Sequence, residues 1–374
     1  MPPEKPHWSH LFQEVVTSGL CTGCSACIVA CPYDVLGYDQ TGYKPFHVAE
    51  TGGLDDCTHG ARGCTLCTRA CPRFREWEPE IDQYLFGRPR TDDEVAGVAE
   101  KIVLARATDT ELHEAGQDGG LVSAILVWAL EHDVIDAALV SGLEGDGTNW
   151  RAVPTVVRDR AGVVATAGSR YTYSANPLAY AEAVEGGGER IALVGMGCQA
   201  SAPAVMAARK AGKVARRFAL SIGLMCSKTF DDAIFPELFE ARYGLRREDI
   251  AKMNIKGVFQ VWMRDGAYHE VPLKEAHGWT REGCMSCPDF AAEHADISTG
   301  GIGAFNDWTL TVLRTARGHE VFSSMADAGA VEVRPGEDDP GAIALMQRLS
   351  KVSRKRWPAT AVPTPGRLPA AQPA

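Results

Sequence analysis

Apolar positions in this chain come in short blocks separated by glycine, proline and charge. Ile102-Val-Leu-Ala-Arg-Ala107 predicts a strand. Gly116-Gln117-Asp118-Gly119-Gly120 follows and opens an apolar helix from Leu121 to Glu131, and Val134–Val140 predicts the next strand. This strand, glycine loop, helix and strand make an α/β unit. A second unit begins with the strand Ile191–Val194. It turns through Gly195-Met196-Gly197-Cys198-Gln199-Ala200 into a helix reaching about Lys210, and Phe218–Gly223 continues as a strand towards Cys226. Helices are also expected over Ala175–Val184 and Ala342–Arg356. The latter ends in a basic turn (Lys351, Arg354, Lys355, Arg356), which suits a helix C-terminus and is alternatively a partner surface. Before residue 95 the pattern dissolves: cysteines interrupt it, and residues 73–95, charged and proline-containing, read as a connector. Residues 358–374 carry five prolines among Ala, Thr and Gln and predict a disordered tail.

The 374 residues are 45% hydrophobic and 23% charged, which excludes disorder, collagen and coiled coil as the dominant state. The net charge of −10 argues against a nucleic-acid binder. The longest apolar run, Leu121 to Leu130, is too short to span a membrane, and the first seven residues lack a signal core. A cytoplasmic protein is expected, with reduced thiols, so its 12 cysteines read as metal or redox sites.

Cys21-x2-Cys24-x2-Cys27-x3-Cys31-Pro32 is the spacing that wraps a cubane cluster in a tight loop and sends its fourth cysteine to a second cluster. Cys57-x6-Cys64-x2-Cys67-x3-Cys71-Pro72 repeats it with a longer first gap. The expected pairing puts Cys21, Cys24, Cys27 and Cys71 on one [4Fe-4S] cluster, and Cys57, Cys64, Cys67 and Cys31 on the other. Paired zinc knuckles are the competing reading, but zinc sites use longer spacers and often His. His10 and His59 read as surface residues. Four cysteines remain: Cys198, Cys226 and the pair Cys284-x2-Cys287. Four is the count for a third cubane. A redox dithiol, half a zinc site and plain buried cysteines are the alternatives. Gly195-x-Gly197-x-x-Ala200 has the form of a dinucleotide fingerprint, but the stretch Phe218–Gly223 lacks the acid such a site needs. The loops at 116–120 and 168–174, the second with hydroxyls, aromatic faces and Arg170, suit phosphate or a flat cofactor and equally suit plain packing.

From about residue 95 to 330 the chain resembles the coenzyme F420 hydrogenase/dehydrogenase beta-subunit family. The resemblance rests on Gly119-Gly120-Leu121-Val122 through Ile135-Asp136, Gly168-Ser169-Arg170-Tyr171-x-Tyr173-Ser174, the Cys198-Gln199 turn, Ile255-Lys256-Gly257-x-Phe259, and Cys284-x2-Cys287-Pro288-Asp289 through Gly300. Gly197 departs from it, since many relatives carry Pro there. The resemblance implies FAD near Gly119, Gly120, Ser169, Arg170, Tyr171 and Lys256, and a cluster in this region. It implies an F420-dependent oxidoreductase, with ferredoxin or a partner subunit at the other end of the electron path. Lys256 and Arg170 would stabilise reduced flavin, although Lys256 is equally readable as a solvated lysine in a hairpin. The runners-up are a ferredoxin-dependent reductase of an organic substrate, resembling 7-hydroxymethyl chlorophyll reductase, and an electron-relay subunit.

The fold expected combines α+β and α/β parts: a small two-cluster ferredoxin-like domain, then an α/β flavin-binding region with a mixed sheet. The divisions read as a tail at 1–15, the ferredoxin-like domain with connector at 16–92, family N-terminal-type and C-terminal-type domains at 93–188 and 189–356, and the tail at 357–374.

Overall fold

The computed structural model describes residues 5–48, 53, 55–145 and 149–357; the tail expected beyond lies outside the described residues. Its strands are β1 (Leu36–Asp39), β2 (Lys44–His47), β3 (Lys101–Ala107), β4 (Ala137–Glu144), β5 (Asn149–Val157), β6 (Ile191–Met196), β7 (Phe218–Leu224), β8 (Ile250–Ile255), β9 (Val258–Met263), β10 (Tyr268–Pro272), β11 (Ile297–Gly300), β12 (Thr309–Leu313) and β13 (Val331–Pro335). Eight form one mixed sheet in the order β13-β3-β12-β11-β7-β6-β4-β5. Its centre, β11-β7-β6-β4, is parallel, and both flanks are antiparallel. This is the mixed α/β fold the apolar blocks call for.

The central strands read as continuous apolar runs because both faces are covered. Ala138, Val140, Ala192, Val194, Leu220 and Ile222 face the helix Leu121–Glu131, which is buried nearly all round. The alternate residues Ala137, Leu139, Ile191 and Leu193 face the other way, against Ala26, Ala30 and Ala70 of the N-terminal part. The small cysteine-rich part therefore lies on the opposite face of the sheet from that helix. Alanines at the contact let the backbones approach closely.

The N-terminal part has a core of its own. Residues 1–15, expected as a tail, supply it from Trp8 onward: Trp8 and Leu11 are each 1% exposed and pack with Val15, Val16, Leu20 and Phe74. Cysteine loops hold few large apolar side chains, so the preceding helical turns provide them. The stretch expected as a connector holds a helix, Glu78–Phe86, seated through Trp77 and Ile81 on Ala204 and Val205. Downstream, β8–β10 form a separate antiparallel sheet around Phe259 and Val261. Among the described residues no helix is long and apolar enough to cross a membrane.

Candidate metal centres and cofactor site

The two cysteine runs interleave as their spacing predicts. One cavity, with about 320 Å³ of empty space, is lined by Cys31, Cys57, Cys64 and Cys67; a second, of about 330 Å³, by Cys21, Cys24, Cys27 and Cys71. The fourth cysteine of each run crosses to the other's cavity. The six-residue gap after Cys57 is filled by one helical turn, Thr58–Ala61, whose Gly60 N–H donates to Cys57 Sγ at 3.4 Å. A single tetrahedral ion, with Zn–S near 2.3 Å, draws its four sulfurs close together. Among the described residues no group of three or more His, Cys, Asp or Glu side chains is drawn together in that way. The donor set and the space fit a polynuclear cluster.

Burial is the first cause of the high thiol pKa values here. Cys21 is pushed up to about 11 and Cys67 to about 12, while Cys24, Cys27 and Cys71 also rise. Without iron these sulfurs stay protonated and neutral; a metal core supplies the charge that makes them thiolates. His59 lies parallel to Tyr33, centroids 3.6 Å apart, at the outer cavity's rim.

The other four cysteines are delivered by different elements. β6 and β7 run parallel and end in register, Met196 opposite Leu224, so Cys198 and Cys226 emerge side by side at strand C-terminal ends, where open α/β sheets hold their ligands. Cys284 and Cys287 come from the short helix Glu282–Met285 and the turn after it. Each of Cys198 and Cys226 feels the charges of Cys284 and Cys287, and burial raises the pKa of Cys198, Cys226 and Cys287. Cys284 Sγ accepts from the Thr229 N–H at 3.5 Å, and Tyr173 Oη lies 3.9 Å from Cys198 Sγ. At Gly197 an added Cβ would lie 2.1 Å from Asp289 Oδ2, so a side chain here requires that carboxylate to shift.

The three sets form a series. Cys27 of the inner N-terminal set is in electrostatic reach of Cys67 of the outer set, and Cys24 is in reach of Cys198.

The cofactor loops converge beside the third set. Lys256, in the β8–β9 turn, has its ammonium 3.1 Å from Asp118 Oδ1 and donates to the Gly301 carbonyl at 2.7 Å. It is a paired lysine, not a solvated one. Tyr171 Oη donates to Asn254 Oδ1 at 3.2 Å; burial raises its pKa, and both Asp118 and Cys226 lie near enough to add to the rise. Arg170 donates to the carbonyls of Thr166, Ala167 and Gly168, and burial lowers it to about 10. Gly119 and Gly120 have positive φ and meet protein atoms: an added Cβ would lie 2.3 Å from the Asp307 carbonyl and 2.1 Å from that of Leu112, respectively. They shape the turn by close packing. Three buried polar atoms on these loops have no partner among the described residues: Gln117 Oε1, Arg170 Nε and Thr172 Oγ1. Buried polar groups are normally satisfied, so these three atoms are free to bond a polar ligand.

Comparison with known proteins matches this layout. The profile of a 4Fe-4S dicluster domain covers residues 20–74. Those of the coenzyme F420 hydrogenase/dehydrogenase beta subunit cover 102–180 (N-terminal part) and 188–339 (C-terminal part). The beta chain of coenzyme F420 hydrogenase from Methanothermobacter thermautotrophicus is 34% identical, over 70% of this chain and 94% of the relative. A component of the F(420)H(2) dehydrogenase of Methanosarcina mazei is 30% identical, over 95% of this chain and 93% of the relative. A chain of the F420-reducing [NiFe] hydrogenase complex from Methanosarcina barkeri superposes with a TM-score of 0.67 at 31% identity, covering 71% of this chain and 92% of that one.

Proposed function

The chain belongs to the coenzyme F420 hydrogenase/dehydrogenase beta-subunit family and is an oxidoreductase, and we propose that it moves electrons between coenzyme F420 and three [4Fe-4S] clusters through FAD, to or from ferredoxin or a partner subunit. The observation that carries this reading is the series of cysteine sets, which leads from a cavity at the N-terminal surface to the strand ends beside the unsatisfied loops. Clusters supply one-electron steps, and a flavin accepts the pair that F420 carries as hydride.

The chain's residues then have these tasks. Cys21, Cys24, Cys27 and Cys71 hold the inner N-terminal cluster, Cys57, Cys64, Cys67 and Cys31 the outer one, and Cys198, Cys226, Cys284 and Cys287 the third. Backbone N–H groups of Gly60, Arg73 and Thr229 orient sulfurs of the three sets. Gly119 and Gly120 shape the 116–120 loop, whose Asp118 lies near Tyr171, and with Ser169 and Arg170 these residues would line the flavin site. Lys256, held by Asp118 and Gly301, keeps a cation beside the flavin, where it favours the reduced anionic form. The need to keep these thiols reduced supports a cytoplasmic setting.

The test is anaerobic. Reconstituted protein is mixed with reduced F420 and a viologen dye, and the 420 nm band of the oxidised deazaflavin is followed, with iron and flavin assayed on the same sample. Rapid return of the band with about 12 iron per chain and one flavin supports the proposal. Full iron and flavin with no return excludes F420 and leaves a ferredoxin-dependent reductase of another organic substrate.

A further inference from the structure

Two buried arginines lie between the inner N-terminal set and the third set. Arg73 follows Cys71 and Pro72 and is 1% exposed. Its Nη2 donates to Cys287 Sγ at 3.3 Å, its Nη1 to the Pro72 carbonyl at 3.2 Å, and its backbone N–H to Cys71 Sγ at 3.4 Å. Cys24 and Cys198 are also in its electrostatic reach, with the Asp289 carboxylate. Arg281, three residues before Cys284, is 5% exposed. Its Nη2 donates to the Thr22 carbonyl, beside Cys21, at 3.0 Å, and its guanidinium lies over the Tyr173 ring at 3.6 Å. It is in reach of Cys198 and Cys284 on one side and Cys21 on the other. The arrangement is reciprocal: the N-terminal part lends a guanidinium to the third set, and the catalytic part lends one to the inner set.

Such burial is costly. Taking a guanidinium out of water costs several kcal/mol unless a counter-charge and hydrogen bonds repay it. Yet neither arginine forms an ion pair with a carboxylate among the described residues, and the Nε of each has no partner there. Aromatic rings flank both, Trp77 beside Arg73 and Tyr43 and Tyr173 beside Arg281, and apart from Asp289 near Arg73 the acidic groups closest to both are cysteine sulfurs. A four-thiolate cluster is an anion in its working states, and its reduction potential is set by net charge, burial and hydrogen bonds to its sulfurs. A fixed cation favours the more negative, reduced form.

We propose that Arg73 and Arg281 are a reciprocal pair of positioning cations, wedged between the inner N-terminal and third clusters, that raise both reduction potentials together and leave that of the outer cluster untouched. The inference rests on the three-cluster reading above. It makes the junction between the two parts an electrostatic element of the electron path as well as a packing surface.

The test is an EPR-monitored potentiometric titration of reconstituted full-length protein, with iron assayed throughout. Arg73→Gln and Arg281→Gln are expected to lower the potentials of the inner and third clusters and to leave the outer one unmoved. Arg73→Lys and Arg281→Lys restore most of the shift, because charge and not shape is at work. Unmoved potentials in the glutamine variants at full iron would overturn the proposal. So would an equal fall in the lysine variants, the outcome that decides if the glutamine variants fail to load iron. About 8 iron in the unsubstituted protein, in place of about 12, would sink the three-cluster reading itself, and this inference with it.

Discussion

At Gly283 an added Cβ would lie 2.2 Å from the Cys21 carbonyl oxygen, between Arg281 and Cys284. The obstruction is backbone and cannot swing aside. Gly283→Ala is therefore expected to cost about 1–3 kcal/mol by overpacking and to lower the melting temperature, which thermal unfolding checks. Single residues differ in how far sequence discloses them. The N-terminal cysteines declare themselves because their spacing recurs and each run ends in Cys-Pro. Cys57 fits despite its longer gap because a helical turn absorbs the extra residues. Arg73 and Arg281 were not legible: an arginine's letter says nothing of its burial. Their nearness to Cys71 and Cys284 was the available signal. The Gly119-Gly120 loop allowed two readings, and the close approach of Asp307 and Leu112 explains the glycines without recourse to a ligand.

Among elements with apolar periodicity the helix Leu121–Glu131 was readable to the residue and the strand read at Ile191–Val194 extends to Met196, while the strand read at Val134–Val140 runs from Ala137 to Glu144 because a turn follows the helix first. The helix Glu78–Phe86 was not readable, because its charged residues imitate a solvated linker. They are charged for another reason. Asp82, buried on this helix, accepts from Arg90 Nε at 2.6 Å and Nη2 at 2.8 Å and from His294 Nε2 at 2.8 Å. Burial alone would raise the Asp82 pKa, but the hydrogen bonds from Arg90 and His294 outweigh it and hold the carboxyl well below the usual range. Arg90 also pairs with buried Glu293, which Arg354 reaches from the helix Pro340–Arg354. A network of this kind ties three stretches of chain and leaves no apolar stripe to detect. Asp82→Asn strips the charge from one partner and is expected to destabilise the protein by about 3–5 kcal/mol. Denaturant unfolding measures this, with iron content expected to hold in the variant that remains folded.

Across the whole molecule, the small part is packed on the sheet through several separate contacts. Alanines 26, 30 and 70 lie on the sheet face, Trp77 and Ile81 on Val205, and Arg209 reaches back to the Glu76 carbonyl at 2.8 Å. None of this has a period in sequence, which is why the docking was invisible there while the fold class was not. Arg88 stands in the exposed stretch that joins the two parts. Because Pro89 blocks trypsin after Arg88, a specific protease site inserted at this point is cut instead, and the nick is expected to leave both fragments together on gel filtration, iron retained. Fragments that separate would show that the covalent link, not the contact face, holds them. Trp357 adds something else. This last described residue packs on the N-terminal core, its ring 5.9 Å from the Arg73 guanidinium. Synthesis runs from the N-terminus, and early segments begin folding before late ones exist. The N-terminal core therefore lacks the Trp357 ring until that residue has left the ribosome.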